Sequence, residues 1–311
     1  MRKHHIRWLG LAAIVIAVSS CGAAPSSTPS STSGAFPVTI IETSGATVTI
    51  TKQPHQIVSL SPTATEMLFA INAGHQVIAV DDQSNYPADA PMTKLSGFQP
   101  NIEAIAAYNP DLVVASDDNG GLVHGLAALN IPVLIETAAK NLNDAYKQIE
   151  QLGAATGHAA DASTLEKKMR ADLAAITASL PKPAKALKVY HELDDTYYSA
   201  TSATFIGQVY GLLGLKNIAD GATAAAPDYP QLSAEYIVSS NPDLIVLADT
   251  KCCHQTLATV GARPGWSSIA AVKSGQVVGA DDDIASRWGP RVVEFLQAIA
   301  PHVKQLELQA A

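Results

Sequence analysis

The sequence is poor in charge, in cysteine and in aromatic side chains. Charged residues make up 15% and aromatic residues 5% of its 311 residues, and there are 3 cysteines. So few cysteines exclude a small disulfide scaffold. The 20 basic and 28 acidic residues give a net charge of −8, which argues against nucleic-acid binding, since phosphate is held by a surplus of lysine and arginine. Beyond the N-terminus, no stretch approaches the roughly 20 apolar residues of a membrane span.

The N-terminus has the features of an export signal. Basic residues, among them Arg2 and Arg7, precede a short apolar run over 9–18, and small residues lead to Cys21. This pattern is typical of a secretory signal, and the sequence around Cys21 resembles a lipobox, in which the cysteine is lipidated and becomes the new N-terminus. Residues 22–34 are almost entirely Ser, Thr, Pro, Ala and Gly, which predicts a flexible tether. We therefore predict a protein anchored outside the cytoplasm; a plain secretory signal is the alternative.

An internal repeat predicts two similar lobes. Residues 103–115 recur as 235–248, and in each copy a glutamate stands six residues before Asn-Pro-Asp. The proline cannot extend a helix, and the apolar, β-branched run that follows suits a strand covered on both faces. Each copy therefore predicts a short helix and a buried strand, and the duplication predicts two lobes with helix-covered parallel sheets.

Further strands and one long helix fit this plan. Strands are predicted at 56–60, 77–80, 133–135, 187–190 and 276–279. Ser163 to Glu166 has the pattern of a capping box, and apolar residues continue at helical spacing to Leu180. We expect this helix to cross between the lobes and to limit hinge opening to a small closure. An ordinary surface helix within one lobe is the alternative.

Four motifs carry a family resemblance that spans nearly all of the mature chain. They are Ile57-Val-Ser-Leu-Ser-Pro-Thr-Ala-Thr-Glu66, Tyr86-Pro87, the block from Asn101 to Asp111, and Arg287-Trp-Gly-Pro-Arg291. Together they resemble the helix-backbone (class III) solute-binding proteins, the periplasmic or lipid-anchored receptors of ABC importers for iron-siderophores, haem and vitamin B12. The resemblance implies an α/β fold with two Rossmann-like lobes, joined by a single long α-helix, and a ligand between them.

The predicted organisation follows the chain in five parts. They are a lipoprotein signal peptide (1–20), a flexible tether and lead-in (21–53), an N-terminal α/β lobe (54–160), an interlobe helix (161–181) and a C-terminal α/β lobe (182–311).

The resemblance also implies how the protein meets its permease. In this family a glutamate on each lobe docks into arginine pockets of the permease dimer, and Glu103 and Glu235 match these glutamates by their place in the repeat. Two carboxylates in equivalent positions would orient the encounter electrostatically. The alternative is that each carboxylate stabilises the start of its helix, by about 0.3–1 kcal/mol.

Candidate ligand-binding residues follow the predicted strands, because ligands of open α/β sheets gather at the carboxyl ends of strands. At such ends lie Tyr86, Asp117, Tyr197, Tyr198, Asp283 and Arg287, and the resemblance adds Phe98 and Tyr229. By likeness to vitamin B12 receptors, Tyr86 and Tyr229 would pack on a corrin ring. Asp283 and Arg287 match an acid and a base four residues apart. Arg287 could instead pair with one of residues 281–283.

The sequence departs from the vitamin B12 receptors at two positions. Gly97 and Ser116 stand where further ring-packing tryptophans are expected, which leaves the ligand open. Aromatic faces suit a corrin, a porphyrin or a catechol.

The remaining thiols and histidines predict no metal site and no resident cofactor. With Cys21 lipidated, Cys252 and Cys253 are the only thiols left, and in an oxidising compartment they would form a vicinal disulfide or remain free. A metal site formed by Cys252, Cys253 and His254 is a third alternative. The histidines lack metal-ligand spacing, although His191 or a tyrosine could hold a haem iron.

Taken together, these features predict a monomeric, non-enzymatic binding protein. We expect it to capture a ferric siderophore or a cobalamin-like chelate and deliver it to the permease of an ABC importer. A haem receptor of the same fold is one alternative. An extracytoplasmic α/β hydrolase is another, but the nucleophile-elbow motif G-x-S-x-G is absent from the sequence. A surface protein for adhesion or signalling is the third.

Overall fold

The computed structural model describes residues 36–181, 185–222 and 228–310, so the predicted signal peptide and Cys21 lie outside the described residues. The strands in these ranges are β1 (Val38–Ile41), β2 (Thr47–Ile50), β3 (Ile57–Leu60), β4 (Val77–Asp81), β5 (Met92–Leu95), β6 (Leu112–Ala115), β7 (Val133–Ile135), β8 (Lys188–Glu192), β9 (Lys216–Asn217), β10 (Leu244–Leu247) and β11 (Val277–Gly279). The α-helices are α1 (Pro62–Ala70), α2 (Ile102–Ala106), α3 (Leu122–Ala127), α4 (Leu142–Thr156), α5 (Ala159–Ala178), α6 (Phe205–Leu212), α7 (Ala234–Ser240), α8 (Leu257–Gly261), α9 (Ala270–Ser274), α10 (Asp282–Ser286) and α11 (Val292–Ala310).

Two parallel sheets form the two lobes. The N-terminal sheet has the strand order β5–β4–β3–β6–β7 and the C-terminal sheet β11–β10–β8–β9. The central strands β3, β6 and β10 are buried at every position, as their continuous apolar runs require when helices cover both faces. The predicted α/β fold with helix-covered parallel sheets is confirmed.

The two copies of the repeat have the same local structure. Asn241 is the C-cap of α7 and Asn109 follows the C-cap of α2 by two residues, and both have a left-handed backbone, at φ of 47° and 51°. The carboxylate of Asp111 accepts hydrogen bonds from the backbone N–H groups just before β3, and that of Asp243 accepts one from Lys188 N–H at the start of β8. Each Asn-Pro-Asp therefore ends a helix and fixes the start of a neighbouring strand.

The long helix begins earlier than the sequence predicts. Gly157, at φ 81°, ends α4, and α5 starts directly afterwards at Ala159. The capping-box interpretation of Ser163 to Glu166 is therefore wrong: both residues lie inside the helix, where Glu166 pairs with Arg170 instead. With 20 residues, α5 is about 30 Å long.

An antiparallel hairpin occupies the segment that the sequence assigns to the lead-in. Strands β1 and β2 pair with Val38 opposite Ile50, and Ile40 and Ile50 are buried in the core. The hairpin is tied to the N-terminal lobe because Gln151 on α4 donates to Ile41 O at 2.6 Å. Strands β5 and β9 were not predicted either.

One hydrophobic cluster runs through both lobes. It includes Leu112 of the N-terminal sheet and Leu244 of the C-terminal sheet, together with Met169 and Leu173 of α5 and Leu296 of α11. Helix α11 packs along α5, so both long helices contribute to this shared core. Within the described ranges, no helix has the length and apolarity needed to cross a bilayer.

Candidate functional site: the seam between the lobes

The carboxyl ends of the central strands define where a ligand would bind. The direction in which successive strands are added to the sheet reverses between β3 and β6 in one lobe and between β8 and β10 in the other. Open α/β sheets bind ligands at such points. The loop after β5 lies against the end of β3, since a Cβ on Gly97 would come within 2.4 Å of Leu60 O. The close approach leaves no room for a larger residue at position 97. The next residue, Phe98, has a side chain that is 79% exposed at this edge.

A polar cluster joins the two lobes at this edge. We define the interlobe cluster as Glu66, on α1, together with Asp283, Arg287 and Arg291 of the C-terminal lobe. Glu66 is buried and accepts from Arg287 Nη1 at 2.8 Å and from Arg291 Nε at 3.0 Å. Arg287 also donates to Asp283 Oδ1 at 2.9 Å and to Gln83 O at 3.0 Å. The guanidinium of Arg287 therefore already has partners inside the protein. One of them is Asp283, among the three aspartates predicted from the sequence as alternative partners.

Asp283 is held as a carboxylate by its neighbours. It accepts from Lys251 Nζ at 2.9 Å and, across the lobes, from Asn85 Nδ2 at 3.0 Å. Burial raises the pKa of Asp283, but the hydrogen bonds from Lys251 and Asn85 and the charge of Arg287 outweigh it, so the pKa lies below its ordinary value. Asp283 thus crosslinks both lobes and is charged at neutral pH.

Tyr86 extends the seam with an aromatic surface. Its ring is 43% exposed, and the guanidinium carbon of Arg291 lies 4.1 Å from the ring centroid. This is a cation–π contact between lobes. One ring face is thereby covered by protein, while a large part of the side chain remains accessible.

Tyr198 and Tyr229 lie on two paired segments of the C-terminal lobe. Tyr198 forms an antiparallel bridge with Gln231, and Ser199 N–H donates to Pro230 O at 2.9 Å. In such a pairing, alternate residues of both segments share one face, which places Tyr198 and Tyr229 on the same face. The two side chains are 40% and 47% exposed. The structure therefore brings these two candidate residues together.

Tyr197 is different, because its ring has partners inside the lobe. It packs against Trp266 with ring centroids 5.7 Å apart, and Arg263 lies 5.3 Å from its centroid. Arg263 in turn donates two hydrogen bonds of 2.6 Å to Glu192, which is fully buried at the end of β8. A structural role accounts for Tyr197, and ligand contact by this residue stays a prediction.

Next to this pair, Asp249 is a buried carboxyl group at the end of β10. Neither of its oxygens accepts a hydrogen bond from a donor among the described residues, and its carboxyl group faces that of Glu192. Burial and the charge of nearby Glu192 raise its pKa to about 7. Asp249 and Glu192 therefore form a pair of buried carboxyl groups that favours binding of a proton.

Asp117 lies just beyond β6, on a loop whose Asn119 donates to Gly97 O at 3.2 Å. It lines an open groove of about 1180 Å³ whose walls include β2, α3 and β7, and all lining residues belong to the N-terminal lobe. No hydrogen bond or ion pair within the described residues joins Asp117 to the interlobe cluster. Ligand contact by Asp117, which follows the central strand β6 by two residues, stays a prediction.

The cysteine and histidine candidates are placed as follows. Cys252 is exposed and Cys253 half-buried, and both are free thiols in the structure. His191 is fully buried, with Nδ1 2.6 Å from the Tyr210 hydroxyl, and burial lowers its pKa to about 3. Among the described residues, no group of His, Cys, Asp or Glu is arranged to hold a metal ion. A haem iron would not reach His191 without rearrangement of the core.

Glu103 and Glu235 occupy matching places on the two lobes. Each follows its helix cap by two residues: Asn101 accepts from Ala104 N–H, and Ser233 accepts from Tyr236 N–H. Both glutamates are exposed, and within the described residues neither has a hydrogen-bond or ion-pair partner. Each therefore leaves its carboxylate free on the surface.

Sequence reasoning missed Glu66 and Arg291 as members of the site. Both stand inside the quoted motifs, but neither was assigned a role. The sequence does hold one signal for them: Glu66 is an acid in an otherwise uncharged and mostly buried helix. A buried carboxylate needs a cation from elsewhere in the chain.

Comparisons with known proteins agree with this architecture. The pattern of the periplasmic binding protein family matches residues 57–284. The chain is 31% identical, over 97% of its length and 98% of the relative, to an uncharacterized ABC transporter substrate-binding lipoprotein (YvrC) of Bacillus subtilis. It is also 31% identical to a cobalamin-binding protein of Halobacterium salinarum, over 85% of this chain and 73% of the relative. A possible iron-binding, periplasmic solute-binding protein from Staphylococcus epidermidis has a similar structure, with a TM-score of 0.70, 25% identity, and coverage of 81% of this chain and 99% of that one.

The chain belongs to the periplasmic binding protein family. It is a substrate-binding protein of an ABC importer, and such proteins work with a membrane permease. The family consists of binding proteins rather than enzymes, which removes the hydrolase alternative.

Proposed function

We propose that this protein binds a cobalamin-like chelate at the seam between its lobes and delivers it to an ABC importer. The observation that carries the proposal is the set of exposed tyrosines, Tyr86, Tyr198 and Tyr229, at the ends of the sheets in both lobes. Aromatic faces bury large flat surfaces, which suits a corrin ring. The relative from Halobacterium salinarum that is named a cobalamin-binding protein supports the same ligand class.

The charges at the seam favour cobalamin over a strongly anionic siderophore. Arg287 and Arg291 are paired with Glu66, and Lys251 with Asp281 and Asp283. A multiply charged ferric catecholate would have to break such pairs, at the cost of leaving carboxylates buried without partners. A ligand without a large net charge does not incur this cost. A neutral, amide-rich ferric siderophore is the second candidate.

Haem fits the described residues less well. The burial of His191 leaves the exposed tyrosines as the axial ligands to be considered. The two haem propionates would also need cations that are not already paired.

Delivery would use Glu103 and Glu235. Their equivalent places on the two lobes and their exposed, unpaired carboxylates suit two basic pockets on a permease dimer. Attachment of lipid at Cys21 would hold the protein at the outer face of the membrane. Loss of lipid labelling and release of the Cys21→Ser variant from the membrane fraction would test this anchor.

Titration calorimetry of the mature chain tests the ligand. Cyanocobalamin, haemin, a ferric catecholate and a ferric hydroxamate are compared, with intrinsic tryptophan fluorescence as a second readout. Saturable binding of cyanocobalamin that is at least tenfold tighter than that of the others supports the proposal. Tighter binding of any of the other three compounds, or no binding of cyanocobalamin, contradicts the proposal.

A further inference from the structure

Glu66 holds Arg291 in place, and Arg291 in turn supports the ring of Tyr86. Arg291 lies 4.1 Å from the centroid of the Tyr86 ring, yet its own Nε and Nη2 both donate to Glu66. A guanidinium that grips a carboxylate with two N–H groups is fixed in its plane as well as in its position. The surface on which the Tyr86 ring lies is therefore rigid.

The support for Arg291 is itself firmly held. Glu66 is 3% exposed, and the side chain of Arg291 is 11% exposed. A second arginine, Arg287, donates to Oε1 of the same carboxylate, the oxygen that also accepts from Arg291 Nη2. Glu66 thus has a fixed place between two cations, and water has little access to weaken the pairs.

The geometry assigns Glu66 and Arg291 as positioning residues for Tyr86, and we propose that they hold its ring with one face on Arg291 so that the other face is presented to a flat ligand. This rests on the proposed function, in which Tyr86 contacts the ligand. Immobilising a side chain in advance removes an ordering cost from binding. Loss of the support should therefore weaken binding about 3- to 10-fold while the tyrosine itself is still present.

The chain contains a matched control for this arrangement. Arg170 lies 3.9 Å from the centroid of the Tyr146 ring and donates to Glu166 at 2.8 Å. This triad lies on α4 and α5, with no member in the interlobe cluster. Arg170→Lys thus makes the same chemical change as Arg291→Lys, in a place where no ligand contact is proposed.

The test is a double-mutant cycle with cyanocobalamin as the probe. Arg291→Lys and Glu66→Gln, which keep the side-chain sizes similar, should each raise Kd about 3- to 10-fold in the wild-type background. Neither should change Kd further when Tyr86→Ala is already present, and Arg170→Lys should leave Kd unchanged. Equal weakening with and without Tyr86, or no weakening by Arg291→Lys, would overturn the assignment.

A ligand-free readout separates this inference from the proposed function. In protein labelled with ¹³C in its tyrosine rings, Arg291→Lys should shift the Tyr86 resonances and leave those of Tyr146 in place. Arg170→Lys should do the reverse. If wild-type protein fails to bind cyanocobalamin but these shifts appear, the ligand is wrong and the positioning of the ring stands. Unchanged Tyr86 resonances in folded Arg291→Lys protein would overturn the positioning role whatever the ligand.

Discussion

The indole Nε1 of Trp288 donates a hydrogen bond of 2.8 Å to Oε1 of Gln148. Trp288 lies between α10 and α11 of the C-terminal lobe, and Gln148 lies on α4 of the N-terminal lobe. With the interlobe cluster, this bond provides a connection between the lobes in addition to α5. Contacts of this kind favour the small closure that we predict over a wide hinge motion.

Removal of the indole donor should destabilise the protein. In Trp288→Phe, Gln148 Oε1 is left buried without its partner, which costs about 1–3 kcal/mol. Urea unfolding monitored by circular dichroism measures the difference. Phe98→Ala, at an exposed ring, is the control and should change stability by less than about 0.5 kcal/mol. Equal stability of Trp288→Phe and wild type would show that the bond contributes nothing.

Glu136 should make stability depend on pH. It is buried, and burial together with the charge of Glu42 raises its pKa to about 9, from an ordinary value of 4.5. The native state therefore binds the proton more tightly than the unfolded chain, so this group's contribution to stability is full below pH 4.5 and is lost as pH rises towards 9. The loss is up to about 1.4 kcal/mol per pH unit.

Glu136→Gln should remove this dependence, because the amide has nearly the same shape and no charge. The variant should gain stability over wild type at pH 8 and differ little at pH 4.5, measured by urea unfolding at both values. Glu103→Gln, at an exposed position, is the control. The same stability difference at both pH values would show that Glu136 does not titrate in this range.

Local sequence patterns, which involve residues close together in the chain, predicted many of the strands and turns of the fold. The strand at 133–135 and both Asn-Pro-Asp turns were found as predicted, because a buried apolar run and a helix-ending proline act locally. The start of α5 was missed because Gly157 separates two helices without a loop. The β1–β2 hairpin was missed because its short strands gain their burial from α4, which is about 100 residues away in the sequence.

Local patterns predicted less of the candidate site than of the fold. Arg287 and Asp283 were singled out, but their partners Glu66 and Asn85 are about 200 residues earlier in the chain. Side-chain pairing over such a separation is set by how the lobes face each other. No local pattern encodes that relation.

The permease-docking prediction separates binding from delivery. Glu103→Ala and Glu235→Ala should each reduce uptake by the reconstituted transporter several-fold and leave ligand affinity unchanged, because both carboxylates lie on surface helices. Glu150→Ala, an exposed glutamate on α4, is the matched control and should transport normally. Wild-type uptake by the Glu103→Ala, Glu235→Ala double variant would exclude these residues from docking.

The paired tyrosines of the C-terminal lobe should contribute to affinity. Tyr198→Ala and Tyr229→Ala should each raise the Kd for cyanocobalamin about 3- to 10-fold, since an aromatic contact contributes about 0.5–1.5 kcal/mol. Tyr108→Ala, at a similarly exposed tyrosine on the N-terminal lobe, should have no effect. Calorimetry measures all three, and equal effects of the three variants would remove Tyr198 and Tyr229 from the site.

The vicinal cysteines should react slowly. Partial desolvation of the exposed Cys252 thiol, its neighbour Cys253 and the nearby carboxylates of Asp282 and Asp249 raise the pKa of Cys252 to about 12, so the reactive thiolate is scarce at neutral pH. In reduced wild-type protein, alkylation of Cys252 by iodoacetamide should be slower than that of glutathione at pH 7 and should still accelerate above pH 10; tandem mass spectrometry distinguishes Cys252 from Cys253. In wild-type protein isolated without reductant, two alkylated cysteines would support free thiols. Loss of two hydrogens with no alkylation would show instead that the strained eight-membered disulfide forms.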